Sequence, residues 1–198
     1  MKYLALLLCL ASFLAADVKL LALSGSLRNG SHNKKLLAEA VRIAEEMGAA
    51  VEVIDLKALE LPFYDQDLES SAGMPKGAKK LRGLMLRSDG ILIASPEYNG
   101  SVSAALKNAI DWASRSEEGT PSNDAFKGKK FALMSASPGK LGGRTGLNHL
   151  RTILERLGGK VVEPQVSIPN SMTFFEGKEQ DLSPLKEEVR LLLSEWNH

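Results

Sequence analysis

Five short apolar runs, at residues 18–23, 51–56, 90–94, 131–135 and 161–168, alternate along the chain with stretches of helical spacing. Runs of this length, several ending in turn residues, read as strands. Leu36, Leu37, Ala40, Val41, Ala44 and Met47 recur at helical intervals before Gly48. Leu147, Leu150, Ile153, Leu154 and Leu157 do the same before Gly158 and Gly159, glycine being the preferred residue just past a helix end. Residues 78–87 and 102–113 read as two more helices. Ser183 and Pro184 read as the N-cap and first position of a C-terminal helix running through Trp196. Parallel neighbours need a crossover, which a helix supplies, so this alternation predicts an α/β fold. Its centre is a doubly wound, five-stranded parallel sheet of order 2-1-3-4-5 with helices on both faces. In open sheets of this kind ligands bind beyond the carboxyl ends of the strands where the order reverses, here between strands 1 and 3. The loops after strands 1, 3 and 4 are where a site is expected.

A chain of 198 residues suits one domain with a full-sized core. With 25 basic against 24 acidic residues there is no global field to recruit nucleic acid or an anionic membrane. Cys9 is the only cysteine, which excludes an intramolecular disulfide, a zinc cluster and dithiol chemistry, so a redox function would need a bound cofactor. Residues 1–16 stand apart. Lys2, the apolar run 3–14 and then Ala15 and Ala16 have the basic, apolar and small-residue regions of a secretory or organelle-targeting leader. A dozen apolar residues fall short of the roughly 20 of a membrane span. The alternative is an apolar N-terminal extension, and in either case the folded domain is expected to occupy residues 17–198.

After strand 1 the chain reads S-G-S-L-R-N-G-S-H-N, residues 24–33. Gly25 and Gly30 have P-loop spacing, but Ser31 and His32 stand where lysine and a hydroxyl residue are required. Leu27 breaks the dinucleotide fingerprint G-x-G-x-x-G. What remains is Ser24, Ser26, Ser31 and Asn33, with Arg28, around a helix start. Unpaired N–H groups and the positive helix end favour an anion there, and serine hydroxyls add donors without bulk. The same residues would also serve as a helix cap and a turn. His32 reads as a solvated side chain. After strand 3, Ser95-Pro96-Glu97-Tyr98-Asn99-Gly100 forms a rigid loop suited to a flat heteroaromatic ring. After strand 4, Gly139, Gly142 and Gly143 let the backbone approach a ligand closely.

Together, S-G-S-L-R-x-x-S-x-N after strand 1 and P-E-Y-N-x-S-x-x-x-x-L-K-N-A-I-D-W after strand 3 resemble the NADPH-dependent FMN reductase family, flavodoxin-like quinone, azo-dye and chromate reductases. The resemblance runs from Val18 to about Pro169. It implies that Ser24, Ser26, Arg28, Ser31 and Asn33 hold the FMN phosphate. It further implies that Pro96, Glu97, Tyr98, Asn99 and Gly100 border the ribityl chain and isoalloxazine, and that Ser137, Gly139 and Gly142 lie by the pyrimidine edge. Tyr98 could instead close the core edge. Lys107, Asp111 and Trp112 read as helix packing and surface charge, and Arg144 as a nicotinamide-cofactor contact, a subunit contact or a solvated side chain. The chemistry would be carried by FMN, with NADPH or NADH as co-substrate and no catalytic side chain or metal. A small acceptor such as a quinone, azo compound, chromate or free flavin would take the electrons. The resemblance also implies a homodimer or homotetramer and a cytoplasmic location, the latter at odds with the leader-like residues 1–16. A flavodoxin-type electron carrier for protein partners is the alternative. Such carriers tend to be strongly acidic, whereas this chain has a net charge of +1. A hydrolase or response-regulator module lacks its motifs, with no G-x-S-x-G elbow and no acidic pair ending strand 1.

Overall fold

The computed structural model describes residues 18–177 and 180–194, so the leader-like segment 1–16 and the expected helix end at Trp196 lie outside the described residues. In chain order the elements are β1 (Lys19–Ser24), α1 (His32–Glu46), β2 (Ala50–Asp55), a 3-10 turn (Leu56–Leu59), α2 (Gln66–Ala72) and α3 (Lys76–Arg87). There follow β3 (Gly90–Ala94), β4 (Glu97–Tyr98), β5 (Ser101–Val102), α4 (Ala104–Ala113), β6 (Lys130–Ala136) and α5 (Arg144–Arg156). Last come β7 (Lys160–Val161), β8 (Val166–Ile168), α6 (Ser171–Glu176) and α7 (Ser183–Leu193). The main sheet is parallel in the order β2-β1-β3-β6, with β7 and β8 both paired to β6, which is the anticipated 2-1-3-4-5 arrangement.

Every residue of β3 and β6 is buried, as expected of strands covered on both faces. Side chains alternate between two cores. Leu21, Leu23, Ile91, Ile93, Phe131 and Leu133 pack with α3, α4 and α5. Leu20, Ala22, Leu92, Ala94, Ala132 and Met134 pack with α1 and α7. At about 1.5–3 kcal/mol for each large side chain fully buried, these two layers supply the main drive that holds the strand ends in register.

The fifth strand is not the continuous run expected over 161–168. β7 pairs with β6 at Lys130 and Phe131, and β8 with Met134 to Ala136, leaving a gap opposite residues 132 and 133. Pro164, in the intervening segment, has no N–H for a ladder. Glu188 of α7 fills the gap, its Oε1 accepting the Leu133 N–H at 2.8 Å. The start of α7 also differs from expectation. Ser183 is the first helical residue, and the Asp181 carboxylate accepts its N–H at 3.0 Å, so the capping group lies two residues upstream. Among the described residues no helix is long and apolar enough to cross a membrane.

Candidate functional site

An open cleft of about 220 Å³ lies beyond the carboxyl ends of the strands, between the start of α1, the β3–β4 segment, the loop after β6, and α6. The loop after β1 is built as a chain of side-chain turns. Ser24 Oγ accepts the Ser26 N–H at 3.2 Å, Ser26 Oγ accepts that of Arg28 at 3.4 Å, and Ser31 Oγ caps α1 through the Asn33 N–H at 3.2 Å. Each hydroxyl accepts within the loop and keeps its own proton to donate. Ser26, Arg28 and Ser31 line the cleft, whereas Ser24 lies beneath the loop and off the cleft wall. Gly25 makes this course possible. A Cβ there would sit 3.0 Å from Leu106 Cβ, and the residue extends the ladder by donating its N–H to the Ala94 carbonyl at 2.9 Å.

Asn33 is also on the wall, but most of its amide is engaged. Nδ2 donates to the Ala136 carbonyl and Oδ1 accepts the Ala136 N–H, both at 2.9 Å, leaving one N–H for a ligand. Pro96, Glu97 and Tyr98 line the opposite side. The Glu97 carboxylate turns away to the start of α5, where Oε2 accepts the Gly146 N–H at 2.8 Å. Tyr98 is half exposed at the rim. Asn99 and Gly100 do not line the cleft. They form the tip of the β4–β5 hairpin, both with positive φ (52° and 74°), as a type I′ turn requires.

Of the residues singled out after β6, Ser137 is on the wall, with Pro138 beside it. Ser137 Oγ accepts the Gly139 N–H at 3.2 Å, and Gly139 itself is exposed and off the wall. Gly142, also off the wall, has a φ of +62°, and a Cβ there would sit 2.9 Å from the Ile168 and Pro169 backbone, so this glycine serves the seam between two loops.

Five lining residues, Gly30, His32, Ala136, Pro138 and Met172, were not among the expected site residues, and two of them present side chains of consequence. Met172, more than half exposed, comes from α6, and His32 stands beside Ser31. His32 Nδ1 lies 2.7 Å from Ser171 Oγ, a pairing across 139 positions that no local pattern announces. Met172 lies in the short helix Ser171–Glu176, whose sequence S-M-T-F-F-E carries no motif that announces a ligand. Partial burial, and after it the charges of Lys35 and Arg28, hold the His32 pKa below the ordinary histidine value, with Glu176 opposing.

The cleft therefore joins two chemistries. Hydroxyl donors, Arg28 and a helix start suit an anion, and Pro96, Tyr98 and Met172 suit a flat apolar body. A flavin mononucleotide has that division, and the residues present fit it. A larger and more apolar groove of about 370 Å³ runs between α1 and β2 over Leu37, Val41 and Val53. No second loop converges on it, so the smaller cleft is the candidate site.

Residues 18–173 match the family model described as NADPH-dependent FMN reductase. An NAD(P)H-dependent FMN reductase of Pseudomonas aeruginosa is 36% identical over 163 residues, covering 82% of this chain and 83% of the relative. The quinone reductase of Escherichia coli is 35% identical over 150 residues, covering 75% and 76%. The solved structure of FerB, a flavoenzyme NAD(P)H:(acceptor) oxidoreductase from Paracoccus denitrificans, superposes with a TM-score of 0.72 at 29% identity, covering 89% of this chain and 95% of that one.

Proposed function

The chain belongs to the NADPH-dependent FMN reductase family and is an FMN-dependent NAD(P)H oxidoreductase, and from that premise we propose that the cleft at the β1–β3 reversal holds the flavin and that quinones are among the acceptors. The observation that carries this reading is the convergence of Ser26, Arg28 and Ser31 with Pro96, Tyr98 and Met172 on one cleft.

FMN, when bound, would supply the redox chemistry between nicotinamide and acceptor. The chain supplies binding and orientation. Ser26 and Ser31 would hold the phosphate by hydrogen bonds from their hydroxyls, Arg28 would add a charge-assisted bond, and the start of α1 would contribute its N–H groups. Asn33 fixes the distance between α1 and the β6 loop through Ala136, and so sets the spacing between the phosphate end and Ser137. Glu97 pins the β3–β4 segment to α5, which holds Pro96 and Tyr98 at the rim. The cleft is open on the solvent side at Tyr98, so nicotinamide and acceptor would use the same opening in turn.

The test is mass spectrometry of the cofactor released from purified protein, with steady-state kinetics using NADPH and NADH against a panel of quinones. FMN at one per chain and parallel double-reciprocal lines are expected. Recovery of FAD, or intersecting lines that require both substrates bound together, would overturn the reading.

A further inference from the structure

His32 is the first residue of α1 and stands on the cleft wall next to Ser31. Its Nδ1 is taken by Ser171 Oγ at 2.7 Å. Ser171 is fully buried at the start of α6, and its own N–H donates to the Ser137 carbonyl at 3.0 Å. The ring packs on Phe175 with centroids 5.2 Å apart. One nitrogen is thus used to orient the imidazole, and Nε2 has no hydrogen-bond partner among the described residues. The charged and titratable groups facing the ring are Arg28 on the loop before α1, Lys35 on α1 itself and Glu176 on α6. Partial burial, and after it Lys35 and Arg28, outweigh Glu176, so the protein alone disfavours the charged ring.

A phosphate monoester reverses that balance. It brings a charge of about −1.5 to −2 to the wall that His32 shares with Ser26, Arg28 and Ser31. We propose that His32 is a further phosphate-binding residue of the flavin site, taking up a proton from solvent when FMN binds. In the bound state Nδ1–H donates to Ser171 Oγ and Nε2–H donates to the phosphate. The proposal rests on the phosphate lying at the start of α1. A purely packing role for His32 would satisfy Ser171 and Phe175 without any proton changing hands, so the two roles differ in a measurable quantity.

The experiment is isothermal titration of FMN into the full chain stripped of flavin, at pH 7.5, in buffers of different ionisation enthalpy. At that pH free FMN is already mostly dianionic, since the second phosphate pKa is about 6. Wild type should take up close to one proton per FMN and none with riboflavin, which lacks the phosphate. His32→Asn keeps an amide near the Nδ1 position for Ser171 and removes Nε2. It should bind FMN at least about tenfold more weakly with no proton uptake, its riboflavin affinity unchanged. His32→Gln places a neutral donor near Nε2 and should recover part of the affinity but none of the uptake.

Proton-neutral FMN binding by wild type, or the same uptake in wild type and both variants, would overturn the proposal. Equal affinity of wild type for FMN and riboflavin would instead show that the phosphate lies elsewhere, and the proposal would fall together with the site reading. If neither variant folds, 15N chemical shifts of the His32 ring in the wild-type chain decide. Conversion to imidazolium on adding FMN supports the role, and a neutral ring in the complex rejects it.

Discussion

Asn33 and Ala136 pair as two strand neighbours would: the side-chain amide of the first donates to the carbonyl of the second and accepts its N–H, both at 2.9 Å. A side chain from α1 thus takes the place of a backbone at the end of β6, with both residues buried. Asn33→Ala should leave both Ala136 groups unpaired and cost about 2–6 kcal/mol, since each buried orphan costs roughly 1–3. Asn33→Asp keeps the acceptor but not the donor. It should be less destabilised than the alanine variant and yet bind FMN worse, because its charge opposes the phosphate. Urea denaturation and flavin-fluorescence titration of both variants check the crossed ranking.

Ser31→Asp should separate folding from cofactor binding. Aspartate is as good an N-cap as serine, so the Asn33 N–H keeps an acceptor and the melting temperature of the flavin-free chain should barely move. A carboxylate beside a dianionic phosphate should cost about 2–4 kcal/mol even with strong screening, a weakening of some thirtyfold or more in Kd. Unchanged FMN affinity would remove the phosphate from this end of the cleft.

The two glycines of the β6 loop should respond oppositely to alanine. At Gly139 the new Cβ would meet only Ser137 Oγ, at 3.5 Å, an ordinary contact. At Gly142 it would press on the Ile168 and Pro169 backbone at 2.9 Å, with φ at +62°. Gly139→Ala should melt within a degree or two of wild type. Gly142→Ala should lose about 2 kcal/mol or more, with a matching drop in melting temperature.

Glu188 gives the fold a predictable pH dependence. Burial pushes its carboxyl well above the usual carboxylate range, against the opposing pull of the Leu133 and Val166 backbone groups. The folded state therefore keeps a proton that the unfolded chain sheds from about pH 4.3 upward. The stability this lends is fully present below that pH and declines as pH rises toward the folded-state pKa, by at most about 1.4 kcal/mol per pH unit. Glu188→Gln cannot ionise, so that part of the slope should vanish between pH 5 and 8, in denaturant titrations run at several pH values. An identical slope in the variant would mean that Glu188 is already ionised in the folded protein.

The strands and most of the helices were legible because hydrophobic periodicity is local, and burial on both faces makes β1, β3 and β6 nearly continuous apolar runs. The serine-rich loop was legible as an anion site for the same reason, since Ser31 and the helix start are adjacent in the chain. Other features depended on partners far away. Asn33 looked like a ligand residue, yet its amide is largely spent on a backbone 103 positions distant. His32 looked solvated, and only the return of α6 to the cleft gives it Ser171. The β4–β5 hairpin is a different case. Asn99-Gly100 is a strong hairpin signal, and it was passed over because the strands it joins are two residues each, too short to show alternation.

The break between β7 and β8 also governs what the molecule does in company. A long uninterrupted border strand is a template on which another chain can polymerise, strand upon strand. On this border the template is cut into pieces of two and three residues, with Pro164 between them and a side chain filling the gap from within. Fibrillar growth through the sheet would have to begin at the opposite border, on the six residues of β2, where Glu52 and Asp55 are exposed. Among the described residues one border is thus broken by geometry and the other carries charge, so strand-on-strand growth meets an obstacle of a different kind on each side.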